Sequence, residues 1–192
     1  MSALPLILAS ASPRRAELLR ELGLEFRIIP GRAGELHDPH LTAGELCRVN
    51  AWRKARVVAA AHPDALVLGA DTLVYLGTTL FGKPADLPDA RRMLRQLQGR
   101  THQVVTGVCL LHHASRRVRV FADSTTVTFR PLTARQINAY LAAINPLDKA
   151  GAYAIQERGD SIVEKISGSW SNVVGLPLER LRRELAHFKI KA

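Results

Sequence analysis

Leu6-Ile7-Leu8-Ala9-Ser10-Ala11-Ser12-Pro13-Arg14-Arg15 sets the pattern for the chain. A short apolar strand runs into small hydroxyl residues and a proline, and a helix opens. Ser12 suits an N-cap and Pro13 the first helical position; Ala16, Leu18, Leu19 and Leu22 supply the apolar face before Gly23 closes the helix. Arg14 and Arg15 then occupy the first turn, at the positive end of the helix macrodipole, where a cation is locally unfavourable. Two readings fit them: a bound polyanion offsets that cost, since helix N-termini and guanidinium pairs both favour phosphate, or both side chains bend into solvent.

Working outward, strands and helices alternate. Glu25 to Ile29 reads as a second strand, and Pro30 to Leu41 as a loop rich in Gly, His and Pro. Thr42-Ala43-Gly44-Glu45 is a capping-box pattern opening a helix through about Ala61. Ala65 to Ala70 is a continuous apolar strand, and Leu73 to Leu76 resumes as strand before a turn at Gly77-Thr78-Thr79. A helix is expected over Asp89 to Leu97, ended by Gly99. Gln103 to His112 and Arg117 to Phe129 read as a hairpin. Thr133 with Gln136 caps a further helix to about Ile144, Ser161 to Ile166 is a late strand, and Pro177 begins a C-terminal helix. Interleaved helices with a hairpin in the middle predict an α/β protein whose sheet is mixed.

The 192 residues, 47% hydrophobic, suffice for one substantial core, so one domain over 1–192 is expected. No stretch is long and apolar enough to span a membrane, and the N-terminal residues lack the basic region of a signal peptide. Cys47 and Cys109 form no CxxC pair and read as reduced, buried thiols of a cytoplasmic protein. The net charge of +10 predicts an acidic partner without naming it. The basic residues are dispersed, with no run of five and no aromatic-rich RNA-binding segment. Arginine is the default cation, with six lysines at 54, 83, 149, 165, 189 and 191.

Asp71, in Gly69-Ala70-Asp71-Thr72, follows an unbroken apolar strand. A carboxylate so placed must meet a metal, a cation or water, or else act as a turn aspartate bonding nearby backbone N–H groups. Lys54 lies among small residues on the capping-box helix, and Lys83 is held between Gly82 and Pro84; each also reads as an ordinary surface or turn lysine. Glu35 is a candidate second carboxylate for a hard divalent cation. Gln156, closing Asp148 to Gln156, can donate and accept to a base or ribose. His102, His112 and His113 lack metal-ligand spacing and read as structural, and no P-loop is present.

In order, these segments resemble the Maf family of nucleoside triphosphate pyrophosphatases. The resemblance runs through SASPRR at 10–15, Glu35, Lys54-Ala55, GADT at 69–72, GKP at 82–84, LQGRTHQVVTG at 97–107, TVTFR at 126–130, LDKAGAYAIQ at 147–156 and GLP at 175–177. It implies an inosine-triphosphatase-like mixed sheet flanked by helices, with a nucleotide-binding cleft, and hydrolysis between the α and β phosphates to a monophosphate and pyrophosphate. Carried over by position, Asp71 is the general base, and Ser10, Arg14, Arg15, Lys54 and Lys83 bind or neutralise the triphosphate. Glu35 and Asp71 hold a divalent cation, Mg²⁺ or Mn²⁺.

Arg14, Thr72 and Gln156 match the branch of the family that hydrolyses dTTP and UTP, which implies a pyrimidine pocket open to 5-substituted pyrimidine nucleotides. A sister branch acting on 7-methyl-GTP differs at these three positions. The chain departs from the family pattern at Gly34, where an acidic residue is usual, and at Ala154, where glycine is common. The rival from another class is a non-enzymatic nucleic-acid-binding or septum-regulating protein. It would need a clustered basic face and strongly salt-dependent affinity. Dispersed charge and the intact Asp71, Lys54 and Lys83 set favour the enzyme, with no stable nucleic-acid complex and no membrane association; a homodimer is among the family's expectations.

Overall fold

A computed structural model describes residues 4–190, so Lys191 lies outside the described residues. The opening stretch folds as strand β1 (Leu6–Leu8) and helix α1 (Pro13–Glu21). Ser12 is the N-cap residue, but its side chain makes no capping bond; its backbone N–H instead donates to Ser10 Oγ at 3.2 Å. Gly23, at φ +70°, ends the helix with its N–H on the carbonyl of Arg20. Strand β2 is only Arg27–Ile28. Helix α2 (Ala43–Ala61) starts on a complete capping box, in which Thr42 Oγ1 accepts from Glu45 N and the Glu45 carboxylate accepts from Thr42 N.

The next strand, β3 (Leu66–Leu76), does not stop at Ala70 as the sequence suggests but runs unbroken through Asp71 and Thr72. The interruption inferred from the polar pair is absent because Asp71 finds its partners through its side chain, which leaves its backbone free to stay extended. A hairpin partner missed in the sequence, β4 (Thr79–Phe81), pairs antiparallel with the end of β3, Val74 opposite Phe81. Helix α3 (Leu87–Leu97) begins two residues earlier than expected, because Asp86 serves as its cap and accepts from Asp89 N. Strands β5 (Thr101–His112) and β6 (Arg117–Phe129) form the expected hairpin. Helix α4 (Ala134–Ala142) follows its Thr133–Gln136 capping box, then come β7 (Val163–Ser167), the short α5 (Trp170–Val174) and α6 (Leu178–Ala186).

The strands join in one seven-stranded sheet, ordered β2-β1-β3-β5-β6-β7 with β4 on β3. β1 pairs parallel with β2 and with β3, Ile7 lying opposite Val67, while β6 and β7 pair antiparallel. The sheet is mixed, as the interleaved pattern predicts. No helix among the described residues is long and apolar enough to cross a membrane.

The chain divides into two compact units. The first takes the residues up to Asp71, Thr106–Asp123 and those from Gly175 on. Its core sets Ile7, Val67, Cys109 and Leu111 of the sheet against Ala51, Ala55, Val58 and Ala59 of α2. Both cysteines are buried and neither is in a disulfide, and burial pushes the Cys109 thiol up to about 12. α6 is tied to β6 by Arg180, which donates to the carbonyl of Ala122, and by the Arg119–Glu184 ion pair. The second unit, Thr72–Val105 and Ser124–Val174, packs α3 and α4 around Phe81, Val104, Val127 and Phe129.

Candidate active site

Helix α2 can lie close to the sheet because glycines face it. A Cβ on Gly69 would stand 2.2 Å from the carbonyl oxygen of Ala51, and one on Gly107 would stand 2.3 Å from the carbonyl carbon of Cys47. Backbone contact of this kind is open only to glycine. It places the Cys47–Ala51–Ala55 stripe of α2 directly on β3 and β5, so Asn50 and Lys54, one turn apart, reach the same residue of β3.

That residue is Asp71. Its Oδ1 accepts from Lys54 Nζ at 2.6 Å, and the same ammonium donates to Glu35 Oε1 at 2.8 Å. The Asp71 side chain is 6% exposed and that of Lys54 15%, whereas Glu35 is 46% exposed. A nearly enclosed carboxylate and a solvent-facing one are thus bridged by a single cation, and the turn-aspartate reading of Asp71 gives way to the ion-paired one. Asn50 adds a longer contact, Nδ2 to Asp71 Oδ2 at 3.4 Å, and holds Leu36, the neighbour of Glu35, by both of its backbone groups. Arg53 donates to the carbonyl of Gly34 and so anchors the other side of Glu35.

The turn after β1 meets the same unit. Ser10 Oγ accepts from Arg15 Nη1 at 3.2 Å, and Arg15 also donates to the carbonyls of Ala70 and Gly175 at 3.0 and 3.1 Å. Arg15 therefore ties the β1–α1 turn to the residue before Asp71. Burial lowers its pKa from the ordinary guanidinium value, with Asp71 opposing the shift and Arg14 adding to it. Arg14, beside it in the chain, is half-buried.

Ser10, Arg15, Glu35, Lys54 and Asp71 are therefore linked through hydrogen bonds and short chain segments within the first unit, which also holds Arg14. Thr72, Lys83 and Gln156 belong to the second. Lys83 is exposed on the turn after β4, where the carbonyl of Gly82 accepts from the N–H of Gly151. Gly151 lies in the segment that leads to Gln156, itself exposed. The buried Lys149 braces that segment, its ammonium meeting the Asn145 carbonyl, Asp148 Oδ1 and Glu157 Oε1 at 2.8, 2.8 and 3.1 Å.

Among the described residues no three His, Cys, Asp or Glu side chains cluster as a metal site. The Asp71–Glu35 pair still suits a hard divalent cation that keeps waters and substrate phosphates as its other ligands. The ammonium of Lys54 between the two carboxylates demonstrates that the pair accepts positive charge.

The family model for Maf-like proteins matches residues 5–188. The chain belongs to the Maf family. A relative from Moorella thermoacetica is 51% identical over 185 residues, covering 96% of this chain and 95% of its own, and is named dTTP/UTP pyrophosphatase. One of the same name from Pelotomaculum thermopropionicum is 46% identical over 183 residues, covering 95% and 96%. A solved HAM1 protein from Coxiella burnetii superposes with a TM-score of 0.51 over 96% of this chain and 99% of its own, at 14% identity, so it shares the Maf chain's fold.

Asn50 is the site residue that sequence reading missed. Its only signal was its place four residues before Lys54, and that acquires meaning only once α2 is known to face β3.

Proposed function

We propose that this Maf protein is a nucleoside triphosphate pyrophosphatase that hydrolyses dTTP and UTP, and modified pyrimidine nucleotides, to the monophosphate and pyrophosphate. The observation that carries the proposal is the Glu35–Lys54–Asp71 array, an enclosed carboxylate with a cation at 2.6 Å and a second carboxylate on that cation's other side. The names of relatives 46–51% identical over nearly the whole chain support the substrate class.

In the proposed reaction Asp71 takes a proton from the water that attacks the α-phosphorus. The bond from that phosphorus to the oxygen bridging to the β-phosphate breaks, and pyrophosphate leaves with the electron pair. Arg14, Lys54 and Lys83 neutralise the charge spread over the phosphate oxygens and the leaving group. Ser10 and Arg15 hold the turn that presents Arg14, their mutual bond at 3.2 Å supporting this role. Glu35 and Asp71 would hold Mg²⁺ or Mn²⁺, which supplies charge neutralisation and orientation when bound. Arg14, Thr72 and Gln156 select the pyrimidine. We place the enzyme in the cytoplasm, consistent with two buried cysteines that form no disulfide; the family resemblance suggests a homodimer, and light scattering decides the oligomeric state.

Pyrophosphate release from a panel of nucleoside triphosphates, with Mg²⁺ or Mn²⁺, tests the reading. Wild type is expected to act on dTTP and UTP, and Asp71→Asn to lose at least about 10²-fold in turnover while still binding nucleotide. Preference for 7-methyl-GTP would move the chain to the sister activity. Release undiminished in Asp71→Asn would sink the general-base assignment.

A further inference from the structure

A single carboxamide ties the two candidate carboxylates together. Asn50 is 3% exposed, on the face of α2 that meets β3, and it has both amide hydrogens and its oxygen in use. Oδ1 accepts from the N–H of Leu36 at 2.7 Å, and Nδ2 donates to the carbonyl of Leu36 at 3.2 Å. The second hydrogen on Nδ2 points to Asp71 Oδ2 at 3.4 Å. This pattern has one chemical solution: an acceptor facing an N–H, and a two-hydrogen donor facing a carbonyl and a carboxylate. Aspartate, nearly the same in volume, lacks the donor, and leucine, alike in branched outline but bulkier, lacks both functions.

The consequence follows from what lies on each side. Leu36 is covalently next to Glu35, so the Asn50–Leu36 pairing sets where the loop carboxylate stands. Asp71 has each oxygen met from the same helix, Oδ1 by Lys54 and Oδ2 by Asn50, one turn apart. A carboxylate met at both oxygens cannot rotate about its last bond without losing a partner, so one oxygen keeps a fixed direction for the proton it receives.

We infer that Asn50 is a positioning residue for this site, holding the Asp71 carboxylate in one rotamer and the Glu35 loop at a fixed distance from it. The inference rests on the pyrophosphatase reading for its kinetic consequence, and on geometry alone for its structural one.

The experiment compares wild type, Asn50→Leu and Asn50→Asp in three measurements: dTTP turnover with Mn²⁺, thermal unfolding, and hydrogen exchange at the Leu36 amide. Loss of partners that orient reacting or ligating groups typically costs about 10–100-fold. Asn50→Leu should lose kcat in that range, with KM for dTTP within about threefold and the protein still folded well above the assay temperature. Its Leu36 amide should exchange faster. Asn50→Asp keeps the acceptor for Leu36 N–H but sets a second carboxylate against Asp71, so it should retain Leu36 protection and still lose kcat. It also serves as the test if the leucine variant fails to fold. A kcat within about twofold of wild type in a folded variant would overturn the positioning role, since a purely structural tether would lower the unfolding temperature alone. Should wild type release no pyrophosphate from any nucleotide, the functional reading falls. Hydrogen exchange then decides the tether: Leu36 deprotected in Asn50→Leu but not in Asn50→Asp upholds it, and unchanged protection refutes it.

Discussion

A histidine closed in among aromatic rings titrates far from where a solvated one does. His102 is 2% exposed, with the rings of Phe129 and Tyr153 edge-on at centroid distances of 4.7 and 5.5 Å, and Nε2 hydrogen-bonds the Tyr153 hydroxyl. Burial lowers its pKa from 6.5 to about 4, because an imidazolium there would give up its hydration without a carboxylate to replace it. The folded-state pKa lies below the unfolded one, so the unfolded chain binds the proton first. Stability from the neutral ring is therefore complete above pH 6.5 and is lost as pH falls from there to about 4. The loss over that window is about 3 kcal/mol by linkage. Urea unfolding at stepped pH should show this loss in wild type and not in His102→Gln. Parallel pH profiles for the two proteins would rule out His102 as the source. The expectation of a structural role for this histidine agrees with its place in the core of the second unit.

At the scale of elements, α2 is held where two glycines admit it. At Gly107 a methyl group would meet Cys47 backbone carbon and oxygen at 2.3 and 2.4 Å, and no side-chain rotation relieves that. The helix must move, so Gly107→Ala should destabilise by about 1–3 kcal/mol, the usual range for overpacking, or more. It should also lower activity by carrying Asn50 and Lys54 away from Asp71. Gly44→Ala, in the first turn of the same helix, meets only the end of the Arg48 side chain at 4.0 Å and should leave stability unchanged or raise it by up to about 1 kcal/mol. Chemical denaturation of the two variants checks the contrast; equal effects would mean that the helix has slack against the sheet.

The same element shows what a sequence can disclose. The capping boxes at Thr42 and Thr133 were legible because they are local: four residues contain both halves of the bonding pattern. The strand–turn–helix at Leu6 to Gly23 was legible for the same reason, down to the glycine that stops it. The continuity of β3 through Asp71 was not, because the partners that keep the carboxylate content inside a strand come from residues 17 and 21 positions away. Strand β4 has three residues and owes its pairing to β3 rather than to its own pattern. Gly69 and Gly107 read as ordinary strand residues until the helix that covers them is known. Candidate site residues were found by motif, but their division into those that hold one another and those that face solvent is a product of the fold.

For the molecule as a whole, the question is whether two packing units make one cooperative body. The chain passes between the units four times, and three of the four breaks fall inside strands: between Asp71 and Thr72 on β3, Val105 and Thr106 on β5, and Ser124 and Asp123 on β6. Unfolding either unit alone would therefore fray β3, β5 and β6 partway along their length and expose ladder groups that a solvated linker would never have paired. A pair of domains joined by linkers carries no such penalty. We accordingly propose a single folding unit over residues 1–192, and the chain carries its own reporters, with Trp52 in one unit and Trp170 in the other. Urea unfolding of Trp52→Phe and Trp170→Phe, each followed by its remaining tryptophan, should give transitions as steep as those seen by circular dichroism of the same variant. In each variant the fluorescence and circular dichroism midpoints should coincide. A tryptophan transition that precedes the loss of secondary structure would instead mean that the unit bearing it opens on its own, with the long strands melting only to the breaks.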